Sequence, residues 1–163
     1  MGTGKSTVGP RVARRLGMQF VDMDPLIEER AGMRIAAIFE AQGEAAFRAL
    51  ETALCHELAQ QHGMVIATGG GALLNPTNRA LLGSTGVIVC LTGDFETIMA
   101  RVGPATDRPL LDADDRAARA RALLEARAAA YAALPHHVDT TGLTPDEVAD
   151  RVVRLWRQQT HGG

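Results

Sequence analysis

Apolar positions along the chain switch between helical spacing and short continuous runs, with turn residues between them. That alternation predicts an α/β domain with a largely parallel sheet. Residues 5 to 16 read as a helix with Val8, Val12, Ala13 and Leu16 on one side, and Pro10 is early enough in it to be tolerated. A short strand over 18 to 22 follows. Residues 25 to 61 are helical in pieces, broken near Gly32 and Gly43. A strand over 64 to 67 ends in Gly69, Gly70 and Gly71, and a helix near 76 to 82 leads to the strongest strand, 87 to 91. Then come a helix from 94 to 102, an irregular loop from 103 to 115, a helix over 115 to 133, a strand over 136 to 139 and an amphipathic helix over 144 to 159. The tail from Gln158 is expected to fray. No repeat or linker interrupts the pattern, so residues 1 to 163 read as one domain.

Composition narrows this only a little. The 163 residues are 46% hydrophobic and 22% charged, ordinary values for a globular protein, with a net charge of −2. Such a balance provides no broad positive field for nucleic acid or a membrane surface, and no apolar run is long enough to span a bilayer. With no signal peptide in view the cytoplasm is the expected compartment. Cys55 and Cys90 lie in apolar stretches without a metal-ligand neighbour and read as buried, reduced thiols. Among the 17 basic residues Lys5 is the one lysine, kept where an ammonium point charge differs most from an arginine fork.

Lys5 belongs to the opening Met1-Gly2-Thr3-Gly4-Lys5-Ser6-Thr7, the end of a phosphate-binding loop of the form G-x-x-x-x-G-K-[ST]. Glycines there let backbone N–H groups turn toward phosphate oxygens, and the helix that follows adds its positive end. The lysine reaches the outer phosphates and the Ser6 hydroxyl can bind magnesium. The first glycine of the pattern and the apolar strand that should feed the loop are missing.

Further candidates cluster at strand ends, where ligands bind in open α/β sheets. Asp22 and Asp24 follow the strand over 18 to 22, two residues apart, so both carboxylates can face one cleft. One can hold magnesium's water shell, the other can orient or deprotonate a hydroxyl; alternatively Asp24 merely caps a helix ahead of Pro25. Arg48 sits in a helix within reach of Glu44 and Glu51, which is also what a plain surface ion-pair network looks like. Thr68-Gly69-Gly70-Gly71 directly after a strand allows close backbone approach. Arg108 lies in the irregular loop, which has two prolines and four aspartates and the character of an active-site lid. Arg101 and Arg127 lie on flanking helices, and His136 and His137 read as structural or surface residues.

Taken in order, Gly-Thr-Gly-Lys-Ser-Thr-Val-Gly, Asp-Met-Asp, Gly-Glu-x-x-Phe-Arg-x-x-Glu, Thr-Gly-Gly-Gly, Arg-Pro-Leu-Leu and an arginine four residues before a tyrosine make the chain resemble the shikimate kinase family over nearly its whole length. The resemblance implies a three-layer α/β/α P-loop kinase of the nucleoside-monophosphate-kinase type. It implies ATP and Mg²⁺ as cofactors and transfer of the γ-phosphate to the 3-hydroxyl of shikimate, by a protein expected to be monomeric. Gly2, Thr3, Gly4, Lys5, Ser6 and Thr7 would line the phosphates, with Ser6 and Asp22 at the metal. Asp24 would hold and help deprotonate the substrate hydroxyl. Arg48 and Arg127 would grip its carboxylate, with Gly70 offering its backbone N–H. The helical segment over 25 to 61 would bind substrate. Arg108 would arrive with the lid, and Arg101 would lie near the adenine with the loop after Asp139.

One departure bears on all of this. In the family the strand before the phosphate loop is central in a five-stranded sheet of order 2-3-1-4-5. Here the strands at 64 to 67 and 87 to 91 are left with no partner between them. The expectation is a start set too late and a chain that folds poorly as written. A gluconate-type or nucleotide kinase, and a non-catalytic remnant that only binds nucleotide, remain the alternative readings.

Overall fold

The computed structural model describes residues 2–102 and 113–161. Helix α1 (Lys5–Leu16) starts at Gly4 and stops at Gly17, both left-handed, with Pro10 inside it. Strand β1 (Gln19–Asp22) follows, and Phe20 lies over Gly9 of α1, where an added Cβ would fall 2.2 Å from the ring. Helix α2 (Met23–Ala31) ends at left-handed Gly32. Helix α3 (Ile35–Leu58) is bent at Gly43, whose φ of 82° and ψ of 171° are not helical. Both glycine breaks thus fall where the sequence puts them, because a residue without Cβ adopts these angles at little cost.

Strand β2 (Met64–Ala67) leads through the glycine corner to a 3₁₀ turn, Ala72–Leu74, that the apolar pattern does not reveal. Helix α4 (Pro76–Thr85) is capped by Asn75, and strand β3 (Val89–Thr92) begins two residues later than expected. Helix α5 (Phe95–Val102) precedes α6 (Ala113–Ala132), strand β4 (His136–Asp139) and α7 (Pro145–His161). The end of the expected loop, 113 to 115, is therefore already helical. Its remainder, 103–112, lies outside the described residues. Helix α7 continues through the tail expected to fray, and a reciprocal Thr144–Glu147 capping box fixes its start.

The strands pair as two separate parallel ribbons, β1 with β2 and β3 with β4. Phe20 is level with Val65, and Leu91 with Val138. Helices α1 and α7 cover one face through Val8, Val12, Val148 and Val153. Helices α2, α3 and α4 supply the other core, with Met23, Ile38, Leu54 and Leu82. Between β2 and β3 lies a cavity of about 590 Å³, lined by Val65, Ile66, Val89, Leu91, Val12 and Trp156 among others. The gap expected between these strands is present: among the described residues neither inner strand has a second neighbour. Burial does not depend on the ribbons meeting, because α1 packs against both β2 and α7 and so bridges the halves.

Candidate active site

The carboxyl ends of β1 and β2, the start of α1 and one face of α3 meet at a single point. Gly4 precedes α1 with no side chain capping its amides, so the positive helix end faces outward. Ser6 Oγ donates to Asp22 Oδ2 at 2.5 Å, joining the phosphate loop to the end of β1. Asp22 also caps α2 by accepting from the Asp24 amide at 3.3 Å. The capping role weighed for Asp24 therefore falls to Asp22. Asp24 sits in the first helical turn, with its side chain free to point elsewhere.

It points at the glycine corner. A Cβ built on Gly69 would lie 2.7 Å from Asp24 Oδ1 and 2.8 Å from Glu51 Oε1, and one on Gly71 would lie 2.5 Å from Arg48 Nη1. No glycine of this run has a positive φ. Gly69 and Gly71 thus serve not a left-handed turn but the space that three charged side chains occupy. Burial raises the Asp24 carboxyl above its usual range, Asp22 adds to this, and the positive charge of Lys5 opposes it.

Arg48 donates to Glu44 from Nε and Nη2 and to Glu51 from Nη1, the last at 2.5 Å. Glu51 is only 1% exposed, so this is no ordinary surface network. Three of the five guanidinium N–H bonds are used, which leaves two. Burial raises Glu51 in spite of Arg48, and Arg127 is near enough to oppose that rise. On the far side of the corner, Tyr131 Oη donates to the Gly70 carbonyl at 2.5 Å. A second cavity of about 400 Å³ opens here, lined by Thr3, Lys5, Thr68, Gly70, Phe95 and Tyr131 among others.

The remaining candidates fall around this centre. Arg101 donates to Thr140 twice, to its side chain and its carbonyl, at 2.8 and 2.9 Å, and so joins α5 to the loop after β4. Arg108 lies outside the described residues. His137 Nε2 contacts the Tyr131 carbonyl, a structural part. Cys55 is buried and Cys90 half-buried, both free. Burial raises both thiols, Cys55 to about 11, so neither is a nucleophile at neutral pH. No cluster of three or more His, Cys, Asp or Glu able to hold a metal occurs among the described residues. One hydroxyl and one carboxylate suit magnesium, which keeps most of its shell for water and phosphate.

A family model described as shikimate kinase matches residues 1–157. The chain belongs to the shikimate kinase family. Its relatives include the shikimate kinase of Geobacter sulfurreducens, 45% identical over 97% of this chain and 87% of that protein. That of Halorhodospira halophila is 45% identical over 98% and 90%. Among solved structures, shikimate kinase from Acinetobacter baumannii in complex with shikimate superposes with a TM-score of 0.88 at 34% identity, covering 98% of this chain and 90% of that one. The enzyme from Aquifex aeolicus gives 0.83 at 33%, covering 100% and 95%. The fold is that of a P-loop kinase, and as a shikimate kinase family member the chain is an ATP- and Mg²⁺-dependent phosphotransferase.

From the sequence Glu51 stands within reach of Arg48 by its i+3 spacing, but its burial was not legible, and Tyr131 served only to mark a spacing. Thr140, fully buried and holding Arg101 from 39 residues away, gave no local signal at all.

Proposed function

We propose that the chain transfers the γ-phosphate of ATP to the 3-hydroxyl of shikimate, and that Asp24 is the residue nearest the chemistry. One observation carries this reading: just past Asp22, which Ser6 of the phosphate loop bonds, Asp24 lies against a glycine corner shared with Arg48. This supports a single cleft where the phosphate loop, a carboxylate and an arginine act together. Lys5 and the uncapped amides before α1 hold the phosphates, with Gly2, Thr3 and Thr7 around them. Magnesium, held by Ser6 and Asp22, neutralises phosphate charge when bound. Asp24, raised above an ordinary carboxylate, is the stronger base for a hydroxyl proton. Arg48 offers its two unused N–H bonds to the substrate carboxylate, a charge-assisted pair, while Arg127 and the Gly70 N–H approach from the other side. Arg101 flanks the adenine. On this reading the protein acts as a monomer in the cytoplasm. No helix among the described residues is long and apolar enough to cross a membrane.

The test is ADP release with Mg-ATP and, in turn, shikimate, gluconate and a nucleoside monophosphate. Release with shikimate alone is expected, and release only with another acceptor would overturn the assignment. The split sheet favours one second reading, nucleotide binding without turnover. ATP binding with no acceptor-dependent release would select it.

A further inference from the structure

Tyr131 is the chain's one tyrosine and stands near the end of α6, half-buried at the edge of the smaller cavity. Its hydroxyl works in two directions. It donates to the Gly70 carbonyl at 2.5 Å and accepts from Arg127 Nη1, one helical turn earlier, at 3.5 Å. Its own backbone carbonyl is held by His137 Nε2 at 2.9 Å, so the residue is anchored to the chain running into β4. Three consecutive glycines form the backbone with the most conformational freedom, and a single pin there has large consequences. Because a trans peptide places C=O and N–H on opposite sides, drawing the Gly70 carbonyl toward α6 turns the Gly71 N–H the other way. Among the described residues Arg127 has no ion pair, and its guanidinium donates to the phenol oxygen at 3.5 Å.

We propose that Tyr131 is a positioning residue for substrate recognition: its hydroxyl ties the Arg127 guanidinium and the Gly69–Gly71 backbone into one unit. The cation on α6 and the amides of the corner then meet the carboxylate of the hydroxy-acid in a fixed relation. This rests on the shikimate reading of the site. A hydroxyl that only satisfied a half-buried carbonyl would affect stability and leave the Michaelis constants alone.

Tyr131→Phe removes one oxygen and keeps the ring. Its KM for shikimate is expected to rise roughly three- to tenfold, the size of one lost hydrogen bond, with KM for ATP unchanged. A fall in melting temperature with both constants unchanged, or an equal rise in both, overturns the proposal. A second measurement needs neither turnover nor that variant. With tyrosine labelled at ¹³Cζ the protein gives one NMR signal, and Arg127→Gln is expected to move it. A signal that does not respond to Arg127→Gln overturns the proposal, even if Tyr131→Phe does not fold. Should the wild type show no shikimate-dependent release, the substrate reading fails, and the NMR signal alone decides whether the phenol couples Arg127 to the corner.

Discussion

Gly71 leaves the space in which the Arg48 guanidinium rests: a Cβ there would fall 2.5 Å from Nη1. Gly71 has φ −101° and ψ −12°, which alanine adopts without strain, so its replacement acts only through that contact. Gly71→Ala is expected to raise KM for shikimate roughly tenfold or more by displacing Arg48. Gly69→Ala, which pushes instead on Asp24 and Glu51, is expected to lower kcat more than it raises KM. Steady-state kinetics on the pair check this; identical effects would mean the corner acts as one rigid piece.

Arg48 and Glu51 permit a separation of fold from function. Removing Arg48 leaves the buried Glu51 carboxylate unpaired, and Arg48→Ala is expected to cost stability near the lower end of roughly 3–5 kcal/mol, because Arg48 is itself partly exposed. Adding Glu51→Gln should restore most of the stability but not shikimate binding. Denaturant unfolding and ligand titration on both variants test this. If binding returned with stability, Arg48 would have a structural role only.

The raised Asp24 carboxyl makes a signed prediction about pH. Burial, then the Asp22 charge, favours its protonated form in the folded state, with Lys5 in opposition. The folded protein therefore holds this proton to higher pH than the unfolded chain. Its stabilising contribution is present below the ordinary carboxylate range and is lost as pH rises through the raised value. Asp24→Asn should match wild-type melting in acid and exceed it at neutral pH. Activity should fall about 10²- to 10⁴-fold. In the wild type, the acid limb of kcat should lie above the ordinary aspartate range; a limb within that range would argue against Asp24 as the base.

Ser6 Oγ donates to Asp22 Oδ2 at 2.5 Å, and under the proposed function this pair holds the magnesium ion. Ser6→Ala and Asp22→Asn should each raise the magnesium concentration for half-maximal rate about tenfold or more, with little change in KM for shikimate. A magnesium titration at saturating ATP measures it. Because Asp22 also caps α2, only its variant should lose helix stability as well, by about 1 kcal/mol.

The cavity between β2 and β3 predicts a stability deficit. Fusing an extended apolar strand and a short glycine linker ahead of Gly2 should fill it. Burying about four aliphatic side chains, at roughly 1.5–3 kcal/mol each, should raise the melting temperature by at least about 10 °C. Trp156 lines the cavity as the one tryptophan, so its emission should shift to the blue on filling. Unchanged melting and emission would mean the ribbons have already adjusted to each other.

Much of this site was legible because its chemistry is local. Gly4-Lys5-Ser6, Asp22 and Asp24, Gly69 to Gly71 and the Arg48 helix each announce themselves within a few residues. The breaks at Gly32 and Gly43 were equally plain, since glycine alone makes a left-handed stop or a kink cheap. What stayed hidden was always a partnership. Which aspartate caps α2, and whether the partner of Arg48 is exposed or buried, were open until their surroundings were known.

By itself the sequence determined the kind of protein: the order of helices and strands, the phosphate loop, and a charged set resembling one kinase family. Hydrophobic period and glycine stereochemistry act over a few residues, so they can be read along the chain. Only the tertiary structure decided that the glycine corner is shaped by Asp24, Glu51 and Arg48, that Tyr131 pins it, and that Thr140 holds Arg101. It also decided how the sheet divides. Those facts depend on which atoms share the same space across 20 to 60 residues of chain, and no local pattern encodes a steric exclusion between residues so far apart.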